Sequence, residues 1–210
     1  FLDILLLNFK GATMDLNDYL HTQDQQPSNP QEKEVALIKY TFIAACALKA
    51  IAELVLLLLG IYGGLGVLLS AAAFVLFIFS IYNISKLTAS RSLLRNVAIA
   101  FAAIFIGVLL FIFLAGGIIA QILLALGFIA SFLFFYRFYQ ELADTSGVAI
   151  FSYCFIALVL AAIANAFLAR FSLPATVLLS LAALALNAFA MFSVEGFSRS
   201  YYSYDLRGKR

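Results

Sequence analysis

Runs of about 20 apolar residues, six of them, constrain this chain more than any other feature, because that is the length an α-helix needs to cross roughly 30 Å of hydrocarbon. They cover about residues 37–60, 65–84, 97–115, 118–137, 148–169 and 174–194. The runs are continuous rather than alternating, which separates helical spans from barrel strands. Of the 210 residues 65% are hydrophobic and 11% charged, whereas an ordinary soluble domain has roughly half and a quarter. The expected fold is therefore all-α, a polytopic membrane protein with six transmembrane helices arranged as three helical hairpins.

The separators have two characters. "GIYGGLG" at 60–66, "AGG" at 115–117 and "RFSLP" at 170–174 are short and contain glycine or proline, as tight helical hairpins require. "SKLTASRSLLRN" at 85–96 and "RFYQELADTSG" at 137–147 are longer, polar and charged, and read as connections between hairpins. Asp144, Thr145 or Ser146 is expected to cap the fifth helix, and Ser172 with Pro174 to open the sixth.

Six spans place both tails and the two long connections on one side. Eleven cations fall there: Lys10, Lys33, Lys39, Lys86, Arg91, Arg95, Arg137, Arg199, Arg207, Lys209 and Arg210. Arg170 alone falls on the other, so the positive-inside rule predicts cytoplasmic termini. Residues 1–34 read as a flexible cytoplasmic tail, 35–195 as the six-helix domain and 196–210 as a basic, tyrosine-rich cytoplasmic tail. Residues 1–13 precede Met14 and are read as an upstream readthrough, a fragment of something longer or an amphipathic arm. They lack the basic start and small-residue cleavage site of a signal peptide. Tyrosines and phenylalanines at 132–140 and 200–206 suit the membrane boundary, and "RGKR" at the end suits anionic lipid.

Reactive chemistry is sparse. His21 is the only histidine and lies in the polar tail, so neither a catalytic triad nor a metal site assembles around it. "GIYGGLG" lacks the Lys and Ser/Thr of a phosphate loop. Cys46 and Cys154 lie in separate apolar runs and read as small packing groups. No cofactor, no metal and no nucleic-acid partner is expected, and an enzyme is the least supported class.

The last two runs carry small-residue stripes, Ala157, Ala161 and Ala164 on one, and Ser180, Ala183, Asn187 and Ala190 on the other. Such stripes let helix backbones approach closely. Asn165 and Asn187 are candidates for a polar path, but lie roughly 12 Å apart in depth at 1.5 Å per residue and are not expected to pair.

Lys49 and Glu53 stand in an otherwise apolar run. Their i, i+4 spacing puts them on one helix face, where each offsets part of the cost of roughly 2.5–3.5 kcal/mol per ion at a bilayer centre. Measured along the hairpin, Lys49 lies roughly 6–10 Å below the cytoplasmic boundary, within reach of snorkelling. Glu53 is a turn deeper and more anomalous.

"VLFIFSIYNISKLTASRSLLRNVAIA" at 75–100 and "YRFYQELADTSGVAIF" at 136–151 resemble the domain-of-unknown-function 996 family of prokaryotic membrane proteins. Glu141, Leu142, Ser146, Gly147, Val148 and Phe151 match its pattern, with serine in place of threonine. "IYNIS" at 81–85 and "RN" at 95–96 also match, which makes Asn83, Ser85, Arg95, Asn96, Glu141, Ser146 and Gly147 candidate cytoplasmic-face positions. The resemblance implies a topology and the prokaryotic inner membrane, and no activity.

Two functional expectations follow. The first is a non-enzymatic structural, accessory or assembly component that engages lipid, a membrane protein partner or a second copy of itself. The second is a small transporter or permeation protein with a path near Glu53, aided by Lys49 and by Asn165 or Asn187.

Overall fold

The computed structural model describes residues 30–59, 64–168 and 172–198. Residues 1–29 with His21, 60–63 within the expected first hairpin turn, 169–171 with Arg170, and 199–210 lie outside them. Within the described residues every regular element is a helix: α1 (Pro30–Leu59), α2 (Gly64–Leu87), α3 (Arg91–Phe113), α4 (Ile118–Ser146), α5 (Ile150–Leu168) and α6 (Leu173–Phe192). All but α5 are long and apolar enough to cross a membrane. The apolar stretch of α5 covers Ile150–Asn165 and falls somewhat short of that length. The chain is an integral membrane protein of the all-α, polytopic class.

Helices α1, α2, α3 and α4 extend past the apolar runs that announce them. Residues 85–96 and 137–147, expected as long connections, are mostly helix, and only residues 88–90 and 147–149 lie between elements. Residues 30–34, expected as the end of the flexible tail, likewise belong to α1. The cause is that a drop in hydrophobicity marks the edge of the hydrocarbon, not the end of a helix. At 29 residues and about 1.5 Å per residue, α4 is far longer than the roughly 30 Å of hydrocarbon, so its polar part extends beyond it.

The turns are closed locally. Between α2 and α3 the Thr88 hydroxyl and amide both donate to the Ile84 carbonyl at 2.8 Å, and Ala89 takes a left-handed φ of 54° before Ser90 extends. Helix α4 ends on Gly147 at φ 70°, where an added Cβ would meet nothing, so the glycine is required by backbone conformation and not by space. The expected capping of the fifth helix by residues 144–146 is corrected here. Thr145 donates to the Glu141 carbonyl at 2.8 Å and Ser146 to that of Leu142 at 2.6 Å, so both close α4. Ser146 accepts the Val148 amide at 3.2 Å, its one contact toward the next helix. At α6, Pro174 sits in the first turn as expected, while Ser172 uses its carbonyl and not its hydroxyl, accepting the Thr176 amide at 3.4 Å.

Helices α3 and α4 form the closest-packed hairpin. Its hinge of contact is Gly107 against Gly127, where a Cβ on Gly127 would lie 2.8 Å from the Ala103 carbonyl oxygen. Small residues here permit the backbone approach that helix packing in lipid depends on. The fully buried large side chains, Ile38, Phe42, Ile81, Ile84, Leu93, Phe138, Leu142, Phe151 and Met191 among them, gather at the end that holds the 88–90 and 147–149 turns. There Lys39 donates to the Val194 carbonyl at 2.7 Å and the Ser198 amide to the Thr145 carbonyl at 2.7 Å, which draws the segment after α6 over the bundle. Toward the opposite end large apolar side chains such as Leu58, Phe113 and Ile118 point outward, as lipid-facing residues do.

Candidate functional site

All six helices contribute to one partly enclosed cavity of about 510 Å³. Its wall is mostly apolar and aromatic, with Phe42 from α1, Phe74 and Phe77 from α2, Phe101 from α3, Phe135 from α4 and Leu158 from α5. The rings pack edge to face, Phe74 on Phe101 at 4.9 Å and Phe101 on Phe135 at 5.3 Å, which fixes one side of the wall. The small residues Ala45, Ala73, Ala161 and Ala183 leave the space that larger side chains would fill.

Lys49 and Glu53 line this cavity. Their side chains meet at 2.8 Å, as the i, i+4 spacing predicts, and Lys49 also donates to Ser70 across to α2 at 3.3 Å. The Lys49 side chain is 40% exposed and that of Glu53 24%, so the carboxylate is the more enclosed of the two. Glu53 is therefore no solitary intramembrane ion. Its charge is offset at contact distance, and the pair faces a space that can hold polar atoms.

The two asparagines have different fates. Asn187 is buried and lines the cavity, accepting from the Tyr139 hydroxyl at 2.8 Å and donating to the Ala183 carbonyl at 2.9 Å. It ties α4 to α6. Asn165 is exposed, does not line the cavity, and reaches it only through a 3.3 Å hydrogen bond to Ser180, which does. The two do not pair, in keeping with their separation in depth, and Asn165 is corrected from a cavity residue to a supporting one. Ala161, Ala164, Ala183 and Ala190 of the small-residue stripes are buried.

A second polar cluster lies among the candidate cytoplasmic-face positions. Glu141 is 4% exposed, and its Oε1 accepts from the hydroxyls of both Ser90 and Ser92, while Asn96 donates to Oε2 at 3.4 Å. Ser90 and Ser92 also contact each other at 2.8 Å, and Ser85 donates to the Ser90 carbonyl. The carboxylate thus sits at the N-terminus of α3, where the helix dipole favours negative charge, and fastens the 88–90 turn to α4. The remaining candidates do not join it. Asn83 donates to the Phe79 carbonyl of its own helix at 2.9 Å, Arg95 is exposed, and Ser146 and Gly147 finish α4.

Sequence reasoning did not single out Ser70, Ser90 or Ser92, and the boundary role expected of the aromatics at 132–140 is corrected for Phe135, Phe138 and Tyr139, which are buried in the bundle. Ser70 sits in an apolar run, where a serine reads as a packing residue, and Ser90 and Ser92 sit in a polar segment, where serines read as solvent-facing; only their partners across the bundle reveal the roles found here. Cys46 lines the cavity and Cys154 is fully buried, both as free thiols. Among the described residues no group of three His, Cys, Asp or Glu side chains is placed to hold a metal. No known protein family matches the chain, and neither a curated protein nor a solved structure is similar to it.

Proposed function

We propose that the protein binds and passes a small, largely apolar molecule through the six-helix cavity, as a non-enzymatic permeation or carrier protein. The carrying observation is that Lys49, Glu53 and Asn187 line a single cavity with aromatic and small side chains. Its volume of about 510 Å³ lies inside the roughly 300–1,000 Å³ of small-molecule sites, which are mostly apolar with a few placed polar groups. Its setting in this proposal is the prokaryotic cytoplasmic membrane with both termini in the cytoplasm. The charge distribution and the resemblance to the 996 family support that setting.

An accessory or assembly role is the second reading. It is favoured by the way Lys49 is engaged by both Glu53 and Ser70, a closed arrangement that also suits a fixed strut. Flux of an amphipathic dye in proteoliposomes separates the two. The permeation reading expects protein-dependent flux that Glu53→Gln changes several-fold, and equal flux in wild type, Glu53→Gln and protein-free vesicles contradicts it.

A further inference from the structure

We propose that the occupant of the cavity is a neutral amphiphile with one apolar chain and a polar end that accepts hydrogen bonds. This rests on the cavity reading above and names its ligand class. Glu53 lies six residues before the end of α1, Ser70 six after the start of α2, and Ser180 seven after the start of α6. At about 1.5 Å per residue the three stand at one level, roughly 10 Å in from the helix ends, and all three line the cavity.

Several hydrogens at this level are left without a protein acceptor. Lys49 has three N–H groups, of which one meets Glu53 and one Ser70, leaving a third. The Ser70 and Ser180 hydroxyls both act as acceptors, from Lys49 and Asn165. Among the described residues neither donates to a carbonyl of its own helix, as Thr41, Thr145 and Ser193 do. Two O–H groups and one N–H are therefore left for a ligand. Glu53 retains its second oxygen as an acceptor, so this level offers acceptor sites beside its three free donors.

Charge narrows the class further. The ammonium and carboxylate at 2.8 Å cancel at a few ångströms, so a charged head attracted by one is repelled by the other. Such a head would also lose its hydration in a mainly apolar space without full compensation. A neutral carbonyl or amide oxygen meets the free donors without that loss. Below this level the wall of Phe42, Phe74, Phe77, Leu158 and Leu184 suits a hydrocarbon chain, whose burial is favourable in proportion to its area.

Photo-crosslinking in nanodiscs tests this with three dodecyl probes that carry a diazirine in the tail and differ only in the head: dimethylamide, carboxylate or trimethylammonium. The amide is expected to label peptides bearing cavity-lining residues with a half-saturating concentration about tenfold below the other two, the scale of one or two hydrogen bonds. In the Ser70→Ala/Ser180→Ala double variant that advantage disappears, while the charged probes still label the same peptides and so report an intact cavity. Equal labelling of the cavity by all three heads, or preference for a charged one, overturns the ligand class and leaves the cavity reading standing. Labelling confined to outward-facing peptides overturns both.

Discussion

Two carboxylates are held within this bundle, and their partners differ in kind. Glu53 meets an ammonium on its own helix, whereas Glu141 is held by the hydroxyls of Ser90 and Ser92 and the amide of Asn96, all from another part of the chain. Removing Glu141 strands two hydroxyls and an amide in a buried place, and a hydrogen bond to a charged group contributes about 1.5–3 kcal/mol. Glu141→Ala is accordingly expected to lower stability by about 3 kcal/mol, and Glu141→Gln, which keeps an accepting oxygen, by about 1 kcal/mol. Thermal unfolding in detergent followed by size exclusion measures both, and an Ala variant as stable as wild type contradicts the cluster's structural role. Glu53 was legible in the sequence because a carboxylate stands out in an apolar run. The Glu141 cluster was half legible: Glu141 and Asn96 are marked by the family resemblance, but Ser90 and Ser92 sit in a polar segment where serines look solvent-facing.

Helix ends and crossings carry the next set of consequences. Gly147 closes α4 at φ 70° in open space, so Gly147→Ala is expected to cost about 1 kcal/mol through backbone strain alone. Gly127 is different, since a Cβ there meets the Ala103 carbonyl at 2.8 Å and the backbone must move. Gly127→Val is expected to cost about 2–3 kcal/mol by forcing α3 and α4 apart, while Gly64→Ala, which meets nothing, has little effect. The same unfolding assay ranks the three, and a Gly127 variant no worse than the Gly64 one contradicts the close crossing. The helices themselves were legible from hydrophobic length, and the Lys49–Glu53 pair from helical spacing. Their ends were not, because residues 85–96 and 137–147 change polarity at the hydrocarbon edge while the backbone goes on satisfying its own hydrogen bonds.

The bundle as a whole is dense at the end with the 88–90 and 147–149 turns and holds its cavity among side chains from every helix. Hydrophobic patterning gave no sight of that cavity, because it depends on which small and aromatic residues of six separate runs come to face one another. The proposed orientation predicts that a fluorescent reporter fused after Arg210 is active in the cytoplasm and that alkaline phosphatase inserted at Gly116 is active outside. The opposite pattern contradicts it. The chain has no tryptophan, so Leu158→Trp places a single emitter in the cavity wall and Leu160→Trp, at an exposed position, places one on the outer face. Quenching of each by a tail-brominated dodecyl dimethylamide in nanodiscs tests ligand entry most directly. Occupation of the cavity predicts saturable quenching at residue 158, competed by the unbrominated compound, against linear, uncompeted quenching at residue 160. Linear, uncompeted quenching at both positions contradicts a binding cavity.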